Sequence, residues 1–190
     1  MSIQNIRLIA SGDVAVFTRP ELKAERVSYP VMTPAAARGL IEAILWKPAI
    51  RWQVTSIAVL NPIRWIAFRR NEVDSKAVAP KRAVIDTGGA APVLLADDKR
   101  SQRNTVALRD VRYLIEARFE LTDRAGPMDT VAKFASMFNR RLQRGQHFSQ
   151  PYLGCREFPA DVEPVTEQSD ITPVDLTQDL GLMHWPAARG

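Results

Sequence analysis

Three groups of cations stand out along the chain: Arg64 with Arg69 and Arg70, Lys76 with Lys81 and Arg82, and Arg140 with Arg141 and Arg144. The planar fork of arginine donates hydrogen bonds in pairs and suits phosphate oxygens, so the chemistry on offer is anion binding, although charge runs are also ordinary solvated surface. Proton exchange near neutral pH is open to His147, and Tyr29 and Tyr152 are further donors. The single cysteine, Cys155, excludes an intramolecular disulfide, and with two histidines there is no zinc constellation. The 26 Lys+Arg exceed the 21 Asp+Glu among 190 residues, a balance that suits a polyanionic partner without requiring one. Trp46, Trp52 and Trp65 offer rings for base stacking; alternation places Trp52 and Trp65 on apolar strand faces, where core packing is the better reading, and leaves Trp46 open to either role.

These groups must be positioned by a folded scaffold, and 46% hydrophobic residues are enough to bury a core. No run approaches the roughly 20 apolar residues of a membrane span, and MSIQNIRLIA lacks the apolar centre of a signal peptide, so a cytoplasmic protein without membrane contact is expected. Residues 3–10 and 14–17 read as a strand bent at Ser11-Gly12-Asp13. The charge-mixed stretch over 18–26, with Arg19, Lys23 and Arg26, is equally a solvated connection or a ligand-facing loop. Residues 33–48 read as a helix capped by Thr33, with Pro34 in its first turn, an apolar stripe of Ala37, Leu40, Ile41, Ile44 and Leu45, and a stop at Lys47-Pro48.

Residues 50–59 and 63–68 alternate around Asn61-Pro62 and predict a hairpin. An insertion follows at about 74–108, with a short strand at 93–95, and then the clearest strand over 111–121. A second helix starts at Thr130, carries Val131, Phe134, Phe138 and Leu142 on one stripe and stops at Gly145. A loop over 146–154 leads to a short strand over 155–158, and the rest is weakly patterned. The layout is α+β, a ferredoxin-like βαββαβ domain over 1–160 with a C-terminal extension over 161–190. Its open sheet face and helix-adjacent loops are where single-stranded RNA could lie.

Four longer phrases are more specific: FTRPELKAERVSYPVMTPAAARGLIEAILWKPAIRW at 17–52, RRNEV at 69–73, IEARFELTDRAG at 115–126 and FNRRLQRGQHFSQPYLGCREFPA at 138–160. They resemble the subtype I-C CRISPR-associated protein of the RAMP superfamily, over residues 3–160 with an echo at 179–181. The resemblance implies binding of CRISPR RNA at the repeat stem-loop and 5′ handle, and assembly with the backbone and large subunits of a Cascade complex, with a DNA contact in that assembly. It implies an RNA-binding set of Arg19, Lys23, Arg26, Trp46, Lys47, Arg69, Arg70, Arg140, Arg141, Arg144, Gln146, His147 and Arg156. It also implies a C-terminal β region, which this sequence would leave incomplete.

The same resemblance implies a metal-independent endoribonuclease without cofactors, in which a ribose 2′-OH attacks its own phosphate. The family's catalytic set is a tyrosine, or in some members a histidine, just before Trp-Lys-Pro of the first helix, with a Lys-His pair in the second. Motif matching puts Leu45, Lys133 and Phe134 at these positions. Leucine and phenylalanine exchange no protons, and both fall on the apolar stripes; Lys133 is the catalytic candidate and His147 the substitute acid or base. A structural subunit that caps the 5′ handle without cutting, and a general single-strand binding module, are the alternatives.

Overall fold

The computed structural model describes residues 5–22, 24–90 and 93–183. Strand β1 (Asn5–Ala15) is followed by a two-residue β2 (Arg26–Val27), helix α1 (Pro34–Ile44), β3 (Ile50–Val59) and β4 (Trp65–Val73). A short α2 (Arg82–Asp86) leads to β5 (Arg100–Leu121), α3 (Val131–Gln143) and β6 (Asp161–Pro164). The central sheet has the antiparallel order β6-β1-β5-β3, the ferredoxin-like arrangement expected for βαββαβ.

The helices cover one face. Leu8 and Ala10 of β1, Tyr113, Ile115 and Phe119 of β5 and Trp52 of β3 meet Leu40, Ile41 and Ile44 of α1 and Phe134 and Phe138 of α3, all buried. Helices α1 and α3 are sealed at their starts by side-chain caps: the Thr33 hydroxyl accepts from the Ala36 N–H at 3.2 Å, and Thr130 does the same for Lys133. On the opposite face Ile9, Leu60 and Leu114 form a smaller cluster under Val165 and Ile171.

Several local expectations give way to different structures. The predicted hairpin of 50–59 and 63–68 does not form: β3 and β4 pair in succession with the same edge of β5. A tight hairpin needs central residues at positive φ, which Pro62 cannot supply. The change of partner falls at Asp110, whose φ of 51° is stabilised locally; Asn61 Nδ2 donates to its carbonyl at 2.8 Å, and Arg109 Nε to its carboxylate at 3.0 Å.

The insertion is correspondingly shorter than 74–108, because β5 begins at Arg100, and residues 93–95 are exposed and form no strand. The stretch over 155–158 is a turn, and the fourth strand of the central sheet is β6. Gly12 lies inside an unbroken β1 rather than in a turn: a Cβ there would stand 2.6 Å from Leu153 Cδ1 and 3.0 Å from the Pro159 carbonyl, so the glycine serves close packing. Trp65 is 46% exposed, against the core position expected for it.

Gly154 joins the turn to the main body. Its φ is +86°, and a Cβ would lie 2.1 Å from the Val16 carbonyl oxygen, an atom already fixed in the backbone. Gly145, at φ +62°, has nothing within 4 Å. In urea unfolding Gly154→Ala is expected to lose about 3 kcal/mol or more, and Gly145→Ala only about 1–2 kcal/mol of left-handed strain; equal losses would show that the Val16 contact is unimportant.

Candidate functional site

The motif-bearing helix ends one residue earlier than its apolar stripe. Leu45 leaves the helical conformation (φ −144°, ψ 108°), keeps its N–H on the Ile41 carbonyl and buries its side chain completely. Its own carbonyl accepts from Trp52 Nε1 at 2.9 Å. The extended backbone at Leu45 turns Trp46 to the opposite side, with 53% of its surface exposed, and Lys47 after it is exposed too.

In α3 the neighbouring pair divides the same way, Phe134 buried at 3% exposure and Lys133 on the surface. Lys133 Nζ donates to Asp129 Oδ1 at 2.8 Å, one turn back. That hydrogen bond, the Gly126 N–H and the charges of Lys133 and Lys47 hold the Asp129 carboxyl below the usual carboxylate range. Lys47, Asp129 and Lys133 thus form one cluster beside the end of α1.

The other end of α3 is closed by Gly145: its N–H bonds the Leu142 carbonyl, and the Gln146 N–H the Arg141 carbonyl at 2.8 Å. Arg141 Nη1 reaches across to the Ile44 carbonyl at 2.7 Å, satisfying the last turn of α1. Arg140, Arg144, Gln146 and His147 are exposed, and neither Arg140 nor Arg144 has a carboxylate partner among the described residues. The loop beyond is fastened to α1, with the Phe148 and Ser149 N–H groups both donating to the Ala43 carbonyl, at 2.8 and 3.1 Å.

This fastening leaves a groove of about 530 Å³ between α1 and the loop, lined by Gly39, Glu42, Trp46, Phe148, Tyr152 and Arg156 among others. Burial raises the Glu42 carboxyl above its ordinary value while Arg38 opposes the shift. Phe148 is 75% exposed. Gly39 stands mid-helix with nothing within 4 Å of a Cβ, so no packing requires a residue that costs the helix about 1 kcal/mol relative to alanine. Sequence reading singled out Trp46 and Arg156 but not Gly39, Glu42 or Phe148. The charged residues of a helix surface and the hydrophobes of a loop carry no periodic signal that brings positions more than a hundred residues apart together.

The remaining expected contacts lie elsewhere. Arg26 and Arg70 meet Glu72 at 3.7 and 2.8 Å, and both pair with Glu157, tying β2 and β4 to the turn that carries Arg156. Arg26 also donates to Cys155 Sγ at 3.3 Å. Arg19 stacks over the buried Tyr29, 5.3 Å from its centroid. Arg69 is exposed on β4 beside Asn104, and Lys23 lies outside the described residues. On the open sheet face Arg7, Arg51 and Arg112 each face a carboxylate, Glu116, Glu120 and Glu163, at 3.0, 3.7 and 3.6 Å. That face is therefore largely self-neutralised. Among the described residues no group of three or more His, Cys, Asp or Glu is placed to hold a metal ion, and no helix is long and apolar enough to cross a membrane.

A family model described as CRISPR-associated protein (Cas_Cas5) matches residues 6–189. Two proteins, each named CRISPR pre-crRNA endoribonuclease Cas5d, are 44% identical to the chain. The one from Mannheimia succiniciproducens aligns over 94% of this chain and 82% of its own length, and that from Thermus thermophilus over 93% and 70%. Among solved structures, a functionally uncharacterized protein from Streptococcus mutans superposes with a TM-score of 0.63 at 23% identity, covering 96% of this chain and 81% of its own. That likeness concerns the fold.

The Glu157 network has a measurable consequence. Burial pushes this carboxyl up, but its own backbone N–H, the hydrogen bond and charge of Arg70 and the charge of Arg26 outweigh it and hold the group below the usual value of 4.5. A depressed folded-state pKa contributes stability that is present above the unfolded value and lost as pH falls through the folded one. The stability difference between wild type and Glu157→Gln in urea is therefore expected to be largest near about pH 7 and to shrink below about pH 4.5. A difference that grows in acid would reverse the sign argued here.

Proposed function

The chain belongs to the CRISPR-associated Cas5 family, in its subtype I-C branch, and from that membership we propose that it binds the repeat stem-loop and 5′ handle of CRISPR RNA as a subunit of a Cascade complex. The observation that supports this most is the set of cations left without carboxylate partners among the described residues. Arg140, Arg144 and Arg156 are among them: Arg140 and Arg144 at the end of α3, where Arg141 reaches the Ile44 carbonyl, and Arg156 in the groove where the loop after α3 docks on α1. Arginine on a rigid helix end matches phosphate geometry, and the exposed Trp46 in that groove gives an unpaired base a stacking surface.

Cleavage of precursor RNA is the second reading, favoured by the names of the two relatives. In a metal-independent route the 2′-OH attacks its adjacent phosphate, one group removes its proton, another protonates the leaving 5′ oxygen, and a cation offsets the charge of the phosphorane. Lys133, released from Asp129, supplies the cation. With Leu45 and Phe134 in the core, and His147 beyond the opposite end of α3 from Lys133, the proton transfers at a phosphate held by Lys133 fall to water. Positioned general acid–base groups contribute about 10²–10⁴-fold, so a slow reaction is the expected outcome.

The test incubates labelled repeat RNA with the protein in EDTA. Binding is expected to be tight and salt-dependent, and Arg140→Ala with Arg144→Ala should lower the salt slope by roughly one to two. Equal affinity for a scrambled hairpin would instead mark a general single-strand module. Any site-specific cleavage should disappear in Lys133→Ala and quicken in Leu45→Tyr with Phe134→His, provided thermal unfolding shows that the altered core still folds. Intact RNA in every variant, with binding retained, leaves the non-cutting handle cap.

A further inference from the structure

We propose that the groove between α1 and the loop after α3 is a guanine-selective pocket for one unpaired base of the bound RNA, with the ring against Trp46 and Phe148 and its Watson–Crick edge on the Glu42 carboxylate. This rests on the RNA-binding reading above. The groove has the size of small-ligand sites, roughly 300–1,000 Å³, at about 530 Å³.

Its walls are two aromatic side chains, 53% and 75% exposed, which water does not favour and which a base plane would cover. Phe148 is not in a free tail: the N–H groups of 148 and 149 are held on the Ala43 carbonyl, so its backbone is fastened beside α1. Gly39 leaves the helix wall of the groove open, at a position where a Cβ would meet nothing and where glycine is a poor helix former. The rim carries Arg156, without a carboxylate partner among the described residues, and so offers a cation to the phosphate attached to the base.

Base identity follows from Glu42. Its ion-pair partner among the described residues, Arg38, stands 3.8 Å away without a hydrogen bond, so the carboxylate oxygens keep their acceptor capacity. An ionised carboxylate only accepts. Guanine alone presents two adjacent donors on its Watson–Crick edge, N1–H and the N2 amino group, which match the two carboxylate oxygens. Adenine and cytosine each place a ring-nitrogen acceptor beside their amino group, and uracil flanks N3–H with two carbonyls. Each of these sets an acceptor against the carboxylate.

The experiment measures anisotropy of a labelled repeat RNA from the protein's own CRISPR array, with each unpaired guanine replaced singly by adenine. One replacement is expected to weaken binding to wild type tenfold or more, and to Glu42→Gln less than twofold. Gly39→Leu, which fills the groove from a helix position with open space around it, is expected to bind the unaltered RNA as weakly as wild type binds that adenine variant. Circular dichroism establishes that both variants fold, and Trp46→Ala provides an independent loss of the stacking wall. Normal binding of the repeat RNA without a Glu42-dependent guanine preference overturns the pocket alone. Failure of the unaltered repeat RNA to bind wild type overturns the RNA reading and the pocket with it.

Discussion

The hydrogen bond from Trp52 Nε1 to the Leu45 carbonyl joins the end of α1 to the sheet, and much else depends on it. The Trp52 ring packs edge-on to Phe119 of β5, centroids 4.9 Å apart, and against Phe138 of α3 at 5.1 Å, so one side chain gathers two strands and both helices. A buried indole N–H without a partner would be costly, and a helix terminus has carbonyls without intrahelical donors; each solves the other's need. The contact fixes which way residue 45 faces. Once Leu45 is inside, alternation along the extended backbone directs Trp46 outward.

The same constraint organises the charges. Arg141 spans from α3 to the Ile44 carbonyl, and the loop that follows α3 closes on Ala43 through its backbone, so the C-terminal turn of α1 is saturated from two sides. Arginines on the strands behave differently: Arg7, Arg26, Arg51, Arg70 and Arg112 each meet a carboxylate. Part of the sheet's positive charge is thereby neutralised, although Arg69, Arg103 and Arg118 meet no carboxylate among the described residues, and Arg140 and Arg144 stay unpaired at the end of α3. A polyanion approaching this molecule would be steered there by charges not already neutralised within the fold.

The helices were legible in the sequence because their signals are local. Thr33-Pro34 and Thr130 are caps, Gly145 is a stop, and the stripes of Leu40, Ile41 and Ile44 and of Phe134, Phe138 and Leu142 are buried as their spacing implies. The strands were legible where one face is apolar. The first half of β5, over 100–109, is rich in polar residues and pairs with β4, whose residues alternate only between exposed and half-buried, so hydrophobic periodicity had nothing to report. Gly12 resembles a turn signal and is instead a contact with Leu153 and Pro159, which no local reading distinguishes. The groove is the extreme case, since Glu42 and Phe148 meet only because Ala43 accepts two loop N–H groups.

Positions 45 and 134 are both given over to packing. Both lie at the boundary where the core meets a cationic surface: Leu45 precedes the exposed Trp46 and Lys47, and Phe134 follows the exposed Lys133. An acid or base at either position must keep its polar atom at that boundary, in reach of solvent or substrate, and a buried polar group without a partner would be destabilising. Leucine and phenylalanine avoid this cost and complete the hydrophobic cluster that holds α1, α3 and the sheet together. The neighbouring residues that face outward are untouched by the exchange, because their direction comes from the backbone and not from the side chain beside them. The outward-facing cations and the packing beneath them are therefore set independently of one another in this fold.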